Sequence, residues 1–127
     1  MTSQPDPSAG NAATTSCTVE EKRVGDVSVV SVTGTLDMLT APQLEAAIAA
    51  AAATSPTAVV VDLGAVDFLA SAGMGLLVAA HGDLTPAVRF VVVADGPATS
   101  RPLKLVGIAD VVDLYVSLDE ALNAVTT

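Results

Sequence analysis

Ser71 is the residue whose type and setting invite chemistry. In DFLASAGMG, residues 67–75, one hydroxyl stands among small apolar neighbours, two residues ahead of a glycine and an apolar run. A Ser-x-Gly on a strand-to-helix turn is half of a nucleophile elbow, but Leu69 occupies the place of the leading glycine. His81, the chain's one histidine, follows about 15 Å further along a helix rising about 1.5 Å per residue, out of reach of Ser71 as a general base. It is expected instead at a helix end, bonding terminal carbonyls. Hydrolysis is excluded. The glycines of ASAGMGLL lack the Lys-Ser/Thr of a P-loop, and Asp62, Asp67, Asp110 and Asp113 lack the histidines or spacing of a metal site, so they read as turn residues and caps. No cofactor, metal or catalytic residue is expected.

Two readings of Ser71 stay open on the residues alone. Its hydroxyl can cap the free amides of AGMG, a contribution of about 0.5–2 kcal/mol. Alternatively it accepts a phosphoryl group, which would bring about −1.5 to −2 charges to a helix N-terminus that tolerates anions. The lack of bulk at Ala70, Ala72 and Gly73 would let another protein approach, and a buried dianion without cations opposite would drive that protein off.

The elements that must position this residue follow from periodicity. CTVEEKRV and VSVVSVT, joined at Gly25-Asp26, read as a hairpin. Thr40 and Gln43 suggest a capping box with Pro42 in the tolerant first turn, and Leu44, Ala47, Ile48 and Ala51 mark one buried helical face. AVVVDL, residues 58–63, is a strand, with a loop expected over 64–70. MGLLVAAH is a helix with Gly82 as its stop, and RFVVVA is the next strand, closed by Asp95-Gly96-Pro97. RPLKLV is a short helix ending at Gly107 with Lys104 near its end, and VVDLYV a short edge strand. Ser117 and Glu120 form a second capping box, opening a helix with Leu118, Ala121, Leu122 and Val125 inward. This alternation predicts an α/β domain: a mixed sheet of four to five strands with about four helices packed against it. Function in such sheets gathers at the carboxyl ends of strands, where the Ser71 segment begins.

Composition narrows the partners. Five Lys and Arg against 14 Asp and Glu, net charge −9, and 2% aromatics exclude nucleic acid. An acidic surface suits a partner offering positive potential, and a merely solvated surface explains the same numbers. Cys17 is the single cysteine, so no internal disulfide is possible and a cytoplasmic location is expected. No run is long and apolar enough for a bilayer, and residues 1–16 have no signal-peptide pattern. Those residues read as a disordered lead to one domain over 17–127.

VDLGAVDFLASAGMGLL resembles the signature of the STAS family, in particular its small bacterial anti-sigma factor antagonists. VTGTLDMLTAPQLEAAI is similar to that family's Gly-x-Leu-Asp segment and first helix, and RPLKLVGIADVVDLYVSLDEAL to its closing part, so the likeness spans about residues 17–125. The resemblance implies a STAS-like domain that binds an anti-sigma factor of the serine kinase type and so releases a sigma factor. It implies Ser71 as the phosphoacceptor that ends the complex, a serine phosphatase that resets it, and Asp37, Leu69, Ala70, Ala72, Gly73 and Met74 at the docking face. Where the family usually has Asp before the serine this chain has Ala70, and where a second hydroxyl often follows it has Ala72. Ser71 is thus the loop's lone acceptor. A second reading is a constitutive STAS adaptor in a transport or signalling complex.

Overall fold

The computed structural model describes residues 17–126; the expected lead over 1–16, and residue 127, lie outside the described residues. β1 (Cys17–Val24) and β2 (Val27–Leu36) form the antiparallel hairpin. Gly25 takes φ 61 at its turn, in the left-handed region that glycine enters without steric cost. Then follow α1 (Ala41–Ala52), β3 (Ala58–Leu69), α2 (Ser71–Leu84), β4 (Arg89–Val93), α3 (Ser100–Leu105), a 3₁₀ turn (Ile108–Asp110), β5 (Asp113–Tyr115) and α4 (Leu118–Thr126). The strands lie in the order β1-β2-β3-β4-β5, with every pair after the first parallel. This is the expected mixed α/β sheet with four helices.

Strand alternation divides the core between two faces. Val30, Val32, Val59, Val61, Leu63, Phe90 and Val92 point to the side covered by α1, α2 and α3, where Leu44, Ile48, Leu77 and Leu103 meet them. Val27, Val29, Val60, Val91 and Val93 point to the other side, which Ala121, Leu118, Leu122 and Val125 of α4 cover. Both faces of the central strands are therefore buried, which is why AVVV and FVVV read as unbroken apolar runs.

The structure corrects several of these expectations, and β4 and β5 are each shorter than the apolar runs that announced them. β3 does not stop at Leu63: β2 runs on to Leu36 and supplies ladder partners as far as Leu69, with register shifts between Ser31 and Thr33 and between Gly34 and Thr35. Asp62 Oδ1 accepts the Gly64 N–H (2.9 Å) within this irregular stretch, a local turn-type bond inside a strand. Gly82 does not stop α2, which continues to Leu84. There the Thr85 N–H and hydroxyl close on the His81 carbonyl (3.0 and 2.7 Å), and Pro86, lacking an N–H, cannot extend the helix. The His81 ring packs edge-on against Phe90, with centroids 6.5 Å apart and planes at 71°, so its observed role is core packing rather than carbonyl bonding. Finally, the Thr40–Gln43 capping box does not form: Thr40 has helical backbone angles (φ −100, ψ −19), which aim its hydroxyl away from the α1 amides. The Ser117 cap does form in its first half, with the Glu120 N–H donating to Ser117 Oγ (3.2 Å).

Phe90 is the largest fully enclosed side chain and supports both α2, through His81, and the sheet. Phe90→Ala is expected to lower stability by about 3–5 kcal/mol, the cost of lost burial and a cavity. Urea unfolding followed by circular dichroism measures it.

Candidate functional site

β2 and β3 end together, and their ends are tied. Leu36 pairs with Leu69, and the Ala70 N–H donates to the Leu36 carbonyl (2.9 Å), so the segments leaving the two strands start as neighbours. One carries Asp37 into α1; the other carries Ser71 into α2.

The Asp37 segment is a self-bonded turn. Asp37 Oδ1 accepts the N–H groups of Leu39 (2.9 Å) and Thr40 (3.1 Å), an Asx-type closure. The buried Thr40 hydroxyl accepts the Asp37 N–H (2.9 Å) and donates to the Thr35 carbonyl (2.8 Å). With its polar atoms satisfied inward, the turn presents its apolar side chains outward: Met38 is 75% exposed and Leu39 69%. Cys17, opposite Gly34 on β1, lies on the same flank. Burial, and secondarily the Asp37 carboxylate, push its thiol above the usual range, which disfavours the thiolate.

Ser71 is the first residue of α2, and the extended Ala70 (φ −90, ψ 169) precedes it. This settles one sequence alternative. Ser71 stands one position inside the helix and caps nothing; its side chain is exposed and makes no hydrogen bond among the described residues. The Ala70 carbonyl takes the Gly73 and Met74 N–H groups (3.0 and 3.1 Å), and no acidic side chain lies in the first turn, so the helix dipole is uncompensated beside a free hydroxyl.

The other expected site residues separate by orientation. Ala70, Ala72 and Asp37 are half-buried around Ser71, and Met74 is partly buried against the core. Leu69 and Gly73 are not surface residues: Leu69 is 5% exposed, and Gly73 is buried on top of Leu36 and Leu69. A Cβ at Gly73 would lie 2.8 Å from Leu36 Cγ and 2.9 Å from Leu69 Cδ1, so glycine here lets α2 seat against the strand ends. They shape the site from beneath. Phe68, 56% exposed, joins Met38 and Leu39 as an apolar residue at this end of the sheet. Sequence reasoning missed all three. Apolar side chains in a turn were the available signal for Met38 and Leu39. Phe68 had none, because β3 buries Leu63, Val66 and Leu69 at intervals of three, against strict alternation.

The description "STAS domain" fits residues 18–121 of this chain. The anti-sigma-F factor antagonist RsfB of Mycobacterium tuberculosis (strain H37Rv) is 40% identical over 114 residues, covering 90% of this chain and 93% of that protein. The crystal structure of an anti-sigma factor antagonist from Mycobacterium paratuberculosis is 49% identical, with TM-score 0.85 over 88% of this chain and 96% of that one. A putative anti-sigma factor antagonist from Thermotoga maritima, at 19% identity and TM-score 0.78 over 86% and 95% of the two chains, shares the fold.

Two substitutions separate presentation from packing at this site. Ser71→Ala is expected to change stability by less than about 0.5 kcal/mol, as for an exposed residue outside any cap. Gly73→Ala should cost about 1–3 kcal/mol by overpacking, although alanine is the better helix former by about 1 kcal/mol. Chemical denaturation of the two variants beside wild type measures both.

Proposed function

The chain belongs to the STAS domain family, and from that premise we propose that it is an anti-sigma factor antagonist whose docking face is centred on Ser71. The protein is a regulator, not an enzyme. Its partner in this reading is an anti-sigma factor of the serine kinase type, and binding frees the sigma factor that this kinase holds. Phosphorylation of Ser71 ends the complex and a serine phosphatase restores it. The setting is the cytoplasm; no helix among the described residues is long and apolar enough to cross a membrane.

The observation that carries this reading is the free, exposed Ser71 hydroxyl at the start of a 14-residue helix. A kinase reaches it without unfolding anything, and the modified side chain stays compatible with the fold, because unpaired amides and the dipole favour an anion there. The partner sees the opposite. Met38, Leu39 and Phe68 offer apolar surface beside Ser71, and small Ala70 and Ala72 allow close approach. A dianion trapped under a partner that covers this surface loses its water, a cost of several kcal/mol unless cations face it. Asp37 contributes by holding the Met38–Leu39 turn in shape, and Leu69 and Gly73 by fixing the floor.

Titration calorimetry of the anti-sigma kinase with wild type, Ser71→Ala and Ser71→Glu tests both parts. Ser71→Ala is expected to bind within about threefold of wild type and Ser71→Glu at least about tenfold more weakly. With ATP, mass spectrometry should find one phosphoryl group on wild type and none on Ser71→Ala. Equal binding of the Glu and Ala variants would defeat the switch; no binding by any of the three would defeat the antagonism.

A further inference from the structure

Beside the Ser71 face, the short helix α3 stands between two surface hollows of ≈ 330 and ≈ 390 Å³ that share Pro97, Arg101 and Leu105 in their walls. Phe68 lines the first hollow and Lys104 the second, and Leu105, 75% exposed, forms the ridge between them. The charge here runs against the rest of the molecule. Of five cations in a chain of net charge −9, two are on this helix. Arg89 is engaged by Asp113 and Arg23 by Thr54, whereas the Arg101 and Lys104 side chains, like that of Lys22 on β1, have no hydrogen bond or ion pair among the described residues. Asp67 lines the first hollow at the β3 side, where the Thr35 hydroxyl donates to it (3.3 Å), so the groove is negative at one end and positive at the other.

We infer that this groove is a second contact on the antagonist's docking face and takes an acidic segment of the partner protein. An aliphatic side chain of that segment lies between Phe68 and Leu105, and its carboxylates face Arg101 and Lys104. The inference rests on the antagonist reading above and adds to it the chemistry and orientation of the partner. Phe68 and Leu69, three and two residues ahead of Ser71 in sequence, line the hollow beside α3, so a protein seated on Ser71 has this groove within reach. A polyanion such as nucleic acid is disfavoured, because the chain as a whole carries a net charge of −9; a protein segment places its acids only where they are met. A partner whose surface is otherwise positive would be attracted by the chain as a whole and oriented by this reversed patch, the cationic pair on the Ser71 side of the sheet.

Titration of the anti-sigma kinase with the double variant Arg101→Glu/Lys104→Glu tests the inference. Lys22→Glu/Arg23→Glu is the control: it changes net charge equally, at the hairpin end of β1, opposite to the Ser71 end of the sheet. The α3 variant is expected to bind at least about tenfold more weakly and the β1 variant within about twofold of wild type. Phe68→Ala should also weaken binding, with circular dichroism unchanged for all three. Wild-type affinity in the α3 variant, or equal losses in the two double variants, would overturn the acidic-segment inference alone. Failure of wild type to bind would overturn the antagonist reading, and this inference with it.

Discussion

The site depends on how β2 and β3 finish. Leu36 and Leu69 are paired and buried, Ala70 bonds back to the Leu36 carbonyl, and Gly73 brings the first turn of α2 down onto both leucines. A methyl group at residue 73 would intrude to within 3 Å of those side chains, closer than packed carbon atoms tolerate, so helix or strands would have to move. Because this junction is tightly packed and tied by the Ala70–Leu36 hydrogen bond, Asp37 and Ser71 leave the sheet from neighbouring strand ends. Two segments far apart in sequence then make one surface.

On that base, the polar groups divide their labour. Asp37 and Thr40 spend their hydrogen-bonding capacity on each other and on nearby backbone, which fixes a turn whose apolar side chains face out. Ser71 makes no side-chain hydrogen bond among the described residues. A serine that capped α2 would resist modification, since its hydroxyl would be tied to an amide; one position further on, the same residue is free for another protein. The difference between a serine that caps the helix and one whose hydroxyl is exposed is therefore a single step in helix register.

Electrostatics give the surface a direction. An acidic chain repels others like itself and attracts positive partners without regard to orientation. Arg101 and Lys104, without an ion pair among the described residues and set in the hollows on either side of Leu105, break that uniformity beside the end of β3. Charge arranged in this way contributes more to specificity and register than to affinity, because exposed pairs gain little energy while wrongly opposed charges are costly.

The sequence by itself determined the element order, the hairpin turn at Gly25, the buried valine runs and the helix faces of α1 and α4, because these rest on local periodicity and turn chemistry. It also singled out Ser71 and Asp37, through motifs whose residues are contiguous. It did not determine the length of β3 or the inward turn of Leu69 and Gly73: a strand end is set by its ladder partner, and a residue's direction after a register shift is set by the neighbouring strand. The capping of α1 and the role of His81 were likewise decided in three dimensions, by backbone angles at Thr40 and by the nearness of Phe90. Phe68, Arg101 and Leu105 line one hollow only because the end of β3 and the α3 segment converge at the end of the sheet, and no local pattern encodes a convergence among residues so far apart along the chain.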